Sequence, residues 1–243
     1  MKPRLSVLLA TLVALSAGPL RAADPVEQAL AKARAFLGSE SALNSVTTIH
    51  FSGILEVDAN TRLPVDIVFQ KPFRQRITVT GPKVIEVTAL DGYDAWQKRT
   101  NPANPTQWQV TLLDASQVKR LRANTWENLS FFAGIKKKGG SVQSGGDTMI
   151  DGVPCLKLSF IHAPDIVFIR YFDKATGRLV KTETEAGAEI REEGEMVVEG
   201  VRFPKKVVNK TPNGPSTTIT FDRIELNTVV PAGEFAVPTL RAN

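Results

Sequence analysis

The feature that most constrains the fold is a long run of hairpin-like units that begins at Thr48. Short segments rich in Val, Ile, Thr and Phe alternate there with turn signals, as antiparallel strands with tight connections require. The spacing predicts strands near 48–57, 64–70, 74–80, 84–90, 94–99 and 107–113, with DANTR (58–62) and NPANP (101–105) as turns. A second run is predicted near 147–150, 153–161, 166–173, 178–185, 188–198, 201–210 and 216–226. It is punctuated by DKATGR (173–178), Glu199-Gly200 and Asn213-Gly214. No strand–helix–strand alternation accompanies these units, which argues against a doubly wound parallel sheet. Within VDIVF, Val65, Ile67 and Phe69 share one face, while Asp66, Val68 and Gln70 share the other. One apolar and one mixed face suit an antiparallel sheet covered on a single side. The expected class is mostly β (α+β), in one domain.

Two helices interrupt this pattern. Asp24-Pro25 combines a good N-cap with a favoured first helical residue, and Val26, Ala29, Leu30, Ala33 and Leu37 recur at helical spacing up to Gly38. Gly38 reads as the residue that ends the helix. Asp114 caps a second helix carrying Val118, Leu121, Ala123, Trp126, Leu129 and Phe132 along one side and ending near Gly134. KKKGG and SGG then read as a polar, flexible connection, with Lys136 to Lys138 as a solvated loop.

Residues 1–22 have the layout of a secretory signal peptide. Lys2 and Arg4 precede an apolar run from Leu5 to Ala17, Pro19 breaks it, and Ala22 and Ala23 follow. The run is shorter than the roughly 20 residues that a membrane-spanning helix needs. Cleavage is expected after Ala22, leaving 23–243 as a soluble, exported, periplasmic domain with no integral membrane segment. Losing Lys2, Arg4 and Arg21 lowers the formal net charge from +5 to +2. Neither this charge nor the placement of aromatics makes a case for nucleic acid, and a monomer is expected.

The search for chemistry gives little. His50 and His162 are the two histidines, both in or beside strands, and no HExxH, Cys pair or calcium-type loop occurs. No metal site, catalytic residue or cofactor is expected. A Ser-His-Asp arrangement assembles in space rather than in sequence, but no GxSxG elbow supports one. Cys155 precedes LKLSF and reads as a small core residue. Glu192 and Glu193 lie on a charged strand (EIREEGEM) and read as a solvated edge. The remaining signal is apolar: Trp96, Trp108, Trp126, Phe131 and Phe132 come from several elements and either fill a core or line a pocket.

QKPFRQRITVTGPKVIEVTALDGYDAW (70–96) resembles the central signature of the LolA/LolB-like periplasmic lipoprotein carriers. Lys71-Pro72-Phe73 ends one strand, and Asp91-Gly92 with Trp96 follows another. IELNTVVPAGEFAVP (224–238) is similar to the closing strand of that family, and YFDKATGRLVKTE (171–183) to a hairpin that many members carry. The resemblance implies a curved, unclosed antiparallel half-barrel with helices packed in its concave face. It implies a carrier or sensor of apolar ligands, the acyl chains of lipids or lipoproteins. Val65, Ile67, Phe69, Ile77, Val79 and Trp96 are then candidate wall residues. Phe131 and Phe132 are a candidate movable lid, and Lys71 and Arg74 candidate headgroup contacts at the rim. Lys71 stands where the carriers have Arg, a point charge in place of a bidentate fork. The 114–146 helix and loop read as an enlargement of the pattern. The alternative reading is an envelope protein-interaction or regulatory module that uses this segment to contact a protein partner.

Overall fold

The computed structural model describes residues 24–231 and 233–238. The expected signal peptide and its cleavage point lie outside the described residues. Among the described residues the chain opens with helix α1 (Pro25–Leu37), where the Asp24 carboxylate accepts the Val26 amide hydrogen at 2.9 Å. Gly38 ends it in extended backbone, not in the left-handed conformation of a C′ glycine. The glycine is needed for space, since a Cβ there would lie 2.6 Å from the Gly200 carbonyl oxygen. A short helix that the sequence reading did not anticipate follows, α2 (Glu40–Ser45), capped by the Ser39 side chain on the Ala42 amide. At six residues it is too short to display a period, but it delivers the fully buried Leu43.

The strands come next: β1 (Thr48–Asp58), β2 (Thr61–Gln70), β3 (Arg74–Thr80), β4 (Ile85–Asp91), β5 (Asp94–Asn101) and β6 (Asn104–Leu112). Helix α3 (Ala115–Ser130) begins with a capping box between Asp114 and Gln117. A 3₁₀ turn (Ile135–Lys138) leads to β7 (Ser141–Ile150), β8 (Val153–Ala163), β9 (Ile166–Asp173), β10 (Leu179–Thr184) and β11 (Glu189–Glu193). Then come β12 (Met196–Val198), β13 (Val201–Phe203), β14 (Lys206–Lys210) and β15 (Thr217–Leu226).

One antiparallel sheet of 13 strands runs in the order β6-β5-β4-β3-β2-β1-β15-β14-β11-β10-β9-β8-β7. It consists of two meanders joined by the pairing of β1 with β15. Its outer strands, β6 and β7, do not pair with each other, so the half-barrel is open. At the seam the β1–β15 register shifts between Ser52 and Gly53. A Cβ on Gly53 would sit 2.2 Å from the Thr220 carbonyl oxygen. A bulge at a glycine lets the two backbones close up and turn.

Two predicted strands are split. The 188–198 segment breaks at Gly194 (φ +65°), and the 201–210 segment breaks at Pro204, which has no amide hydrogen to give a ladder. The pieces β12 and β13 leave the large sheet as a separate two-stranded hairpin. The SGG stretch read as flexible connection is part of β7, bulged between Ser144 and Gly146. Its polarity is that of an edge strand, which needs no apolar alternation.

The concave side holds two apolar clusters. One gathers Leu43, Ile49, Phe51, Ile67, Phe69 and Phe221 with Leu129 and Phe131, and with Val201 and Phe203 of the hairpin. The other gathers Val26, Ala33, Leu158, Phe160, Phe168 and Phe172 with Ala123 and Ile135. Helix α3 contributes to both, so it lies across the trough.

Candidate functional site

Between α3, the sheet and the β12–β13 hairpin lies a cavity of about 310 Å³. Phe51, Ile67, Phe69 and Ile77 form one wall. Phe168, Leu179 and Ile190 form the other, with Val207, Ile219 and Phe221 between them. Phe131, Phe132 and Phe203 close over it. The alternation read from VDIVF places the first wall: Phe51, Ile67 and Ile77 are register partners across three strands and therefore share a face.

Charge is built into this apolar trough. Glu127 of α3 is 4% exposed and binds Arg170 through one carboxylate oxygen and His162 through the other. Burial raises the pKa of a carboxyl. Here the Arg170 charge, with hydrogen bonds from His162 and Arg170, outweighs burial and holds Glu127 below the usual range. Arg170 lies over the Phe160 ring at 4.6 Å, with Phe132 at 5.1 Å and Phe168 at 5.7 Å. Two further contacts fix α3 and its end. The buried Gln75 of β3 accepts from Thr125 (3.0 Å) and Asn124 (3.3 Å). Arg34 of α1 donates to the Phe131 carbonyl (2.7 Å) and the Ser130 carbonyl (3.1 Å), orphan acceptors of the helix C-terminus, and its other nitrogens hold Glu40. Past the helix end, Phe131 and Phe132 both adopt positive φ (48° and 65°) and diverge. Phe131 enters one cluster and Phe132 packs on Phe160 and Phe172 of the other.

Of the expected wall residues, Ile67, Phe69 and Ile77 line the cavity. Val65 and Val79 share their face but pack at its margin, within and against the first cluster. Trp96 is a correction. It is paired through Ala89 and Arg76 to Val68, which puts it on the outer face. There it is buried, donating its indole N–H to the Phe235 carbonyl at 2.9 Å. The C-terminal segment crosses that face and is also held by Arg76 on Glu234. Arg74 is a second correction. It shares that outer face and is held by Asp91 (2.8 Å) and Gln70 (3.3 Å), not at the rim of the cavity. Lys71 lies apart from the cavity, beside a shallow depression near the end of α3 with Trp126, Leu129 and Gly134. Burial, and then the charge of Arg34, push its ammonium below the ordinary lysine value.

Glu193 is a surface residue paired with Lys206 (3.0 Å), but Glu192 is not on an edge. Strand β11 is interior to the sheet, and Glu192 turns into the trough, where it remains accessible. Burial among protein atoms pushes its carboxyl up, against the pull of Arg170. Cys155 is buried in β8 as expected, and burial raises its thiol pKa. The sequence reading missed Arg34, Glu127, Arg170 and Gln75. Charged residues on strands and amphipathic helices ordinarily face water, and no spacing marks partners that are 43 or 97 positions apart.

Outside the trough an aromatic slot of about 450 Å³ opens between Phe73, Tyr93 and Trp126. Arg122 lies over Phe73 (4.0 Å) and Tyr93 (3.8 Å), and Lys138 over Phe73 and Trp126 (both 5.3 Å). Among the described residues no cluster of His, Cys, Asp or Glu is placed to hold a metal ion.

Solved structures share this architecture. A LolA superfamily protein from Nitrosomonas europaea superposes with a TM-score of 0.55 at 13% identity, over 87% of this chain and 97% of its own. The fold is LolA-like. A DUF1329 family protein from Desulfovibrio piger gives 0.56 at 11% identity, over 87% of this chain and 97% of its own. A putative outer membrane lipoprotein-sorting protein domain from Vibrio parahaemolyticus gives 0.53 at 13%, over 86% and 97%. At these identities the likeness is one of LolA-like fold. No protein-family model matches the sequence, and no curated protein does.

Proposed function

We propose that the protein is an exported, periplasmic carrier or sensor of apolar ligands, with acyl chains of lipids or lipoproteins held in the half-barrel concavity. The observation that carries this reading is the Phe-lined cavity of about 310 Å³ reaching across both meanders. Ligand sites span roughly 300–1,000 Å³, so this one suits a single chain, or part of one. Each methylene buried contributes about 0.8 kcal/mol, enough for a partial chain to bind usefully. The likeness to a lipoprotein-sorting domain supports the ligand class. The basic and apolar pattern of residues 1–22 supports export, and among the described residues no helix is long and apolar enough to cross a membrane. In this reading Phe131 and Phe132 are the part of the roof that shifts. Two successive bulky residues in left-handed backbone cost about 1–3 kcal/mol each, which a movement of this segment releases.

Native mass spectrometry of the mature protein, purified gently from periplasm, tests the proposal. A bound lipid or acylated peptide that dissociates on activation is the expected result. A clean apo mass, with no uptake when lipid is then offered, refutes it.

A second reading, an envelope protein-interaction module, is favoured by the aromatic slot, where Arg122 and Lys138 lie over the exposed Tyr93 and the half-buried Phe73 and Trp126. Deleting 136–146 would remove most of β7 (Ser141–Ile150) along with any contact, so substitutions are the cleaner probe. Tyr93→Ala with Arg122→Glu should abolish capture of a partner and spare lipid uptake. Unchanged capture dismisses this face.

A further inference from the structure

Arg170 and Glu192 stand in the trough as an incomplete pair. Arg170, Thr182 and Ile190 are register partners across β9, β10 and β11. Glu192, Val207 and Ile219 are register partners across β11, β14 and β15. Ile190 and Glu192 are two residues apart on one strand, so both rows share a face, and every member lines the cavity. Arg170 is 7% exposed, and its guanidinium is fixed by the rings around it. It donates to Glu127 through Nη1, while its buried Nε has no partner. Glu192 makes no hydrogen bond or ion pair with the described residues. A buried group such as the Arg170 Nε is ordinarily satisfied, whereas Glu192 is exposed in the trough and would lose its hydration when a ligand covers it. The trough therefore carries donor capacity and acceptor capacity, unmatched, amid a wall that is otherwise hydrocarbon.

The charges decide what completes the pair. Glu127 already balances Arg170, so an anion entering here would meet two carboxyl groups, Glu127 and Glu192. A cation would meet Arg170. A pure hydrocarbon would bury both groups without replacing their water. A neutral group that accepts from Arg170 and donates to Glu192 satisfies both and leaves the charge balance intact. A secondary amide does this with its C=O and N–H.

Resting on the carrier reading, we infer that Arg170 and Glu192 form a polar anchor within the trough for an acyl ligand bearing a neutral donor-plus-acceptor group, a secondary amide, beside its chain. The ligand is then held at a fixed depth and not merely by hydrocarbon contact.

The test is displacement of the fluorescent apolar probe 1-aminoanthracene from the mature protein by N-methyldodecanamide and by methyl dodecanoate. The ester keeps the acceptor and lacks the donor. The amide should displace at about tenfold lower concentration, the worth of one hydrogen bond to a charged group. Glu192→Met should bring the ratio of the amide and ester displacement concentrations to about one. Glu192→Gln keeps an acceptor oxygen and should retain the preference. Equal displacement by amide and ester, or equal weakening of both by Glu192→Met, overturns the anchor and leaves the carrier reading standing. If 1-aminoanthracene itself does not bind, the carrier reading falls and the anchor with it.

Discussion

The two meanders of the half-barrel build their concave faces from different chemistry. In β1–β6 the inward residues Phe51, Ile67, Phe69 and Ile77 are hydrocarbon, continuous with the buried cluster behind them. In β7–β11 the inward surface carries His162, Arg170 and Glu192 among Phe160, Phe168 and Phe172, and its tie to α3 runs through Glu127. One side offers volume, with the neutral Gln75 as its polar tie to α3, and the other adds groups that must be matched in position and charge. A trough built from the first kind alone would accept any chain of the right girth. The second kind restricts how such a chain can lie.

Substitutions should separate the sides. Arg170→Met leaves Glu127 buried without its main cation and should cost about 3–5 kcal/mol in urea unfolding. A loss below 1 kcal/mol would mean that the charged side contributes no more than packing. In the hydrocarbon wall, Phe69→Ala should cost about 3 kcal/mol by the same measurement, the ordinary result of emptying a core position. There the loss should be independent of pH between 4 and 8.

Acid should distinguish the two carboxyl groups of the charged side. Glu127 is depressed in the folded state, so its stabilisation is present above the unfolded carboxyl pKa of about 4.3 and is lost as pH falls through the folded value. Glu192 is raised, so its favourable contribution exists below the unfolded pKa and is lost as pH rises through the folded one. Glu127→Gln should therefore lower the thermal midpoint at pH 7 and flatten the acid limb. Glu192→Gln should raise the midpoint slightly at pH 7 and not at pH 3.5. Shifts of the same sign for both variants would contradict the assignment. The smallest effect is expected outside the trough altogether: Tyr93→Ala, at an exposed ring, should change stability by no more than about 0.5 kcal/mol.

The same division marks what could be read from sequence. The alternation in VDIVF assigned Val65, Ile67 and Phe69 to the inner face because those strands obey a period of two with one wet side. Asp24-Pro25 and Asp114 likewise announced their helices, because capping is local. Trp96 was misplaced because large aromatics read as interior, and the segment that buries it from outside begins more than a hundred residues later at Glu234 and Phe235. Arg74 looked like a rim charge until its partner Asp91 came beside it across a hairpin. Arg170 was illegible for a deeper reason: on a strand, charge is the signal for solvent, and here that face is turned inward; Glu192, read as solvated, is exposed, but in the trough and not at a sheet edge.

The seam between β1 and β15 pairs Ile49 with Leu226, and the Thr47 amide with the Asn227 side chain. Everything else in the large sheet is made of neighbours in sequence, except the ladder between β11 and β14 around the excursion of the small hairpin. The two meanders can each form early from local contacts, yet their strands cannot be joined into one sheet until the final long strand arrives. Closing that loop costs entropy that no local contact repays, so assembly should be limited by this one late event. A chain stopped just short of Thr217 would hold both walls bridged through α3 but without the sheet seam, with phenylalanines exposed along the missing strand and a strong tendency to stick to something else.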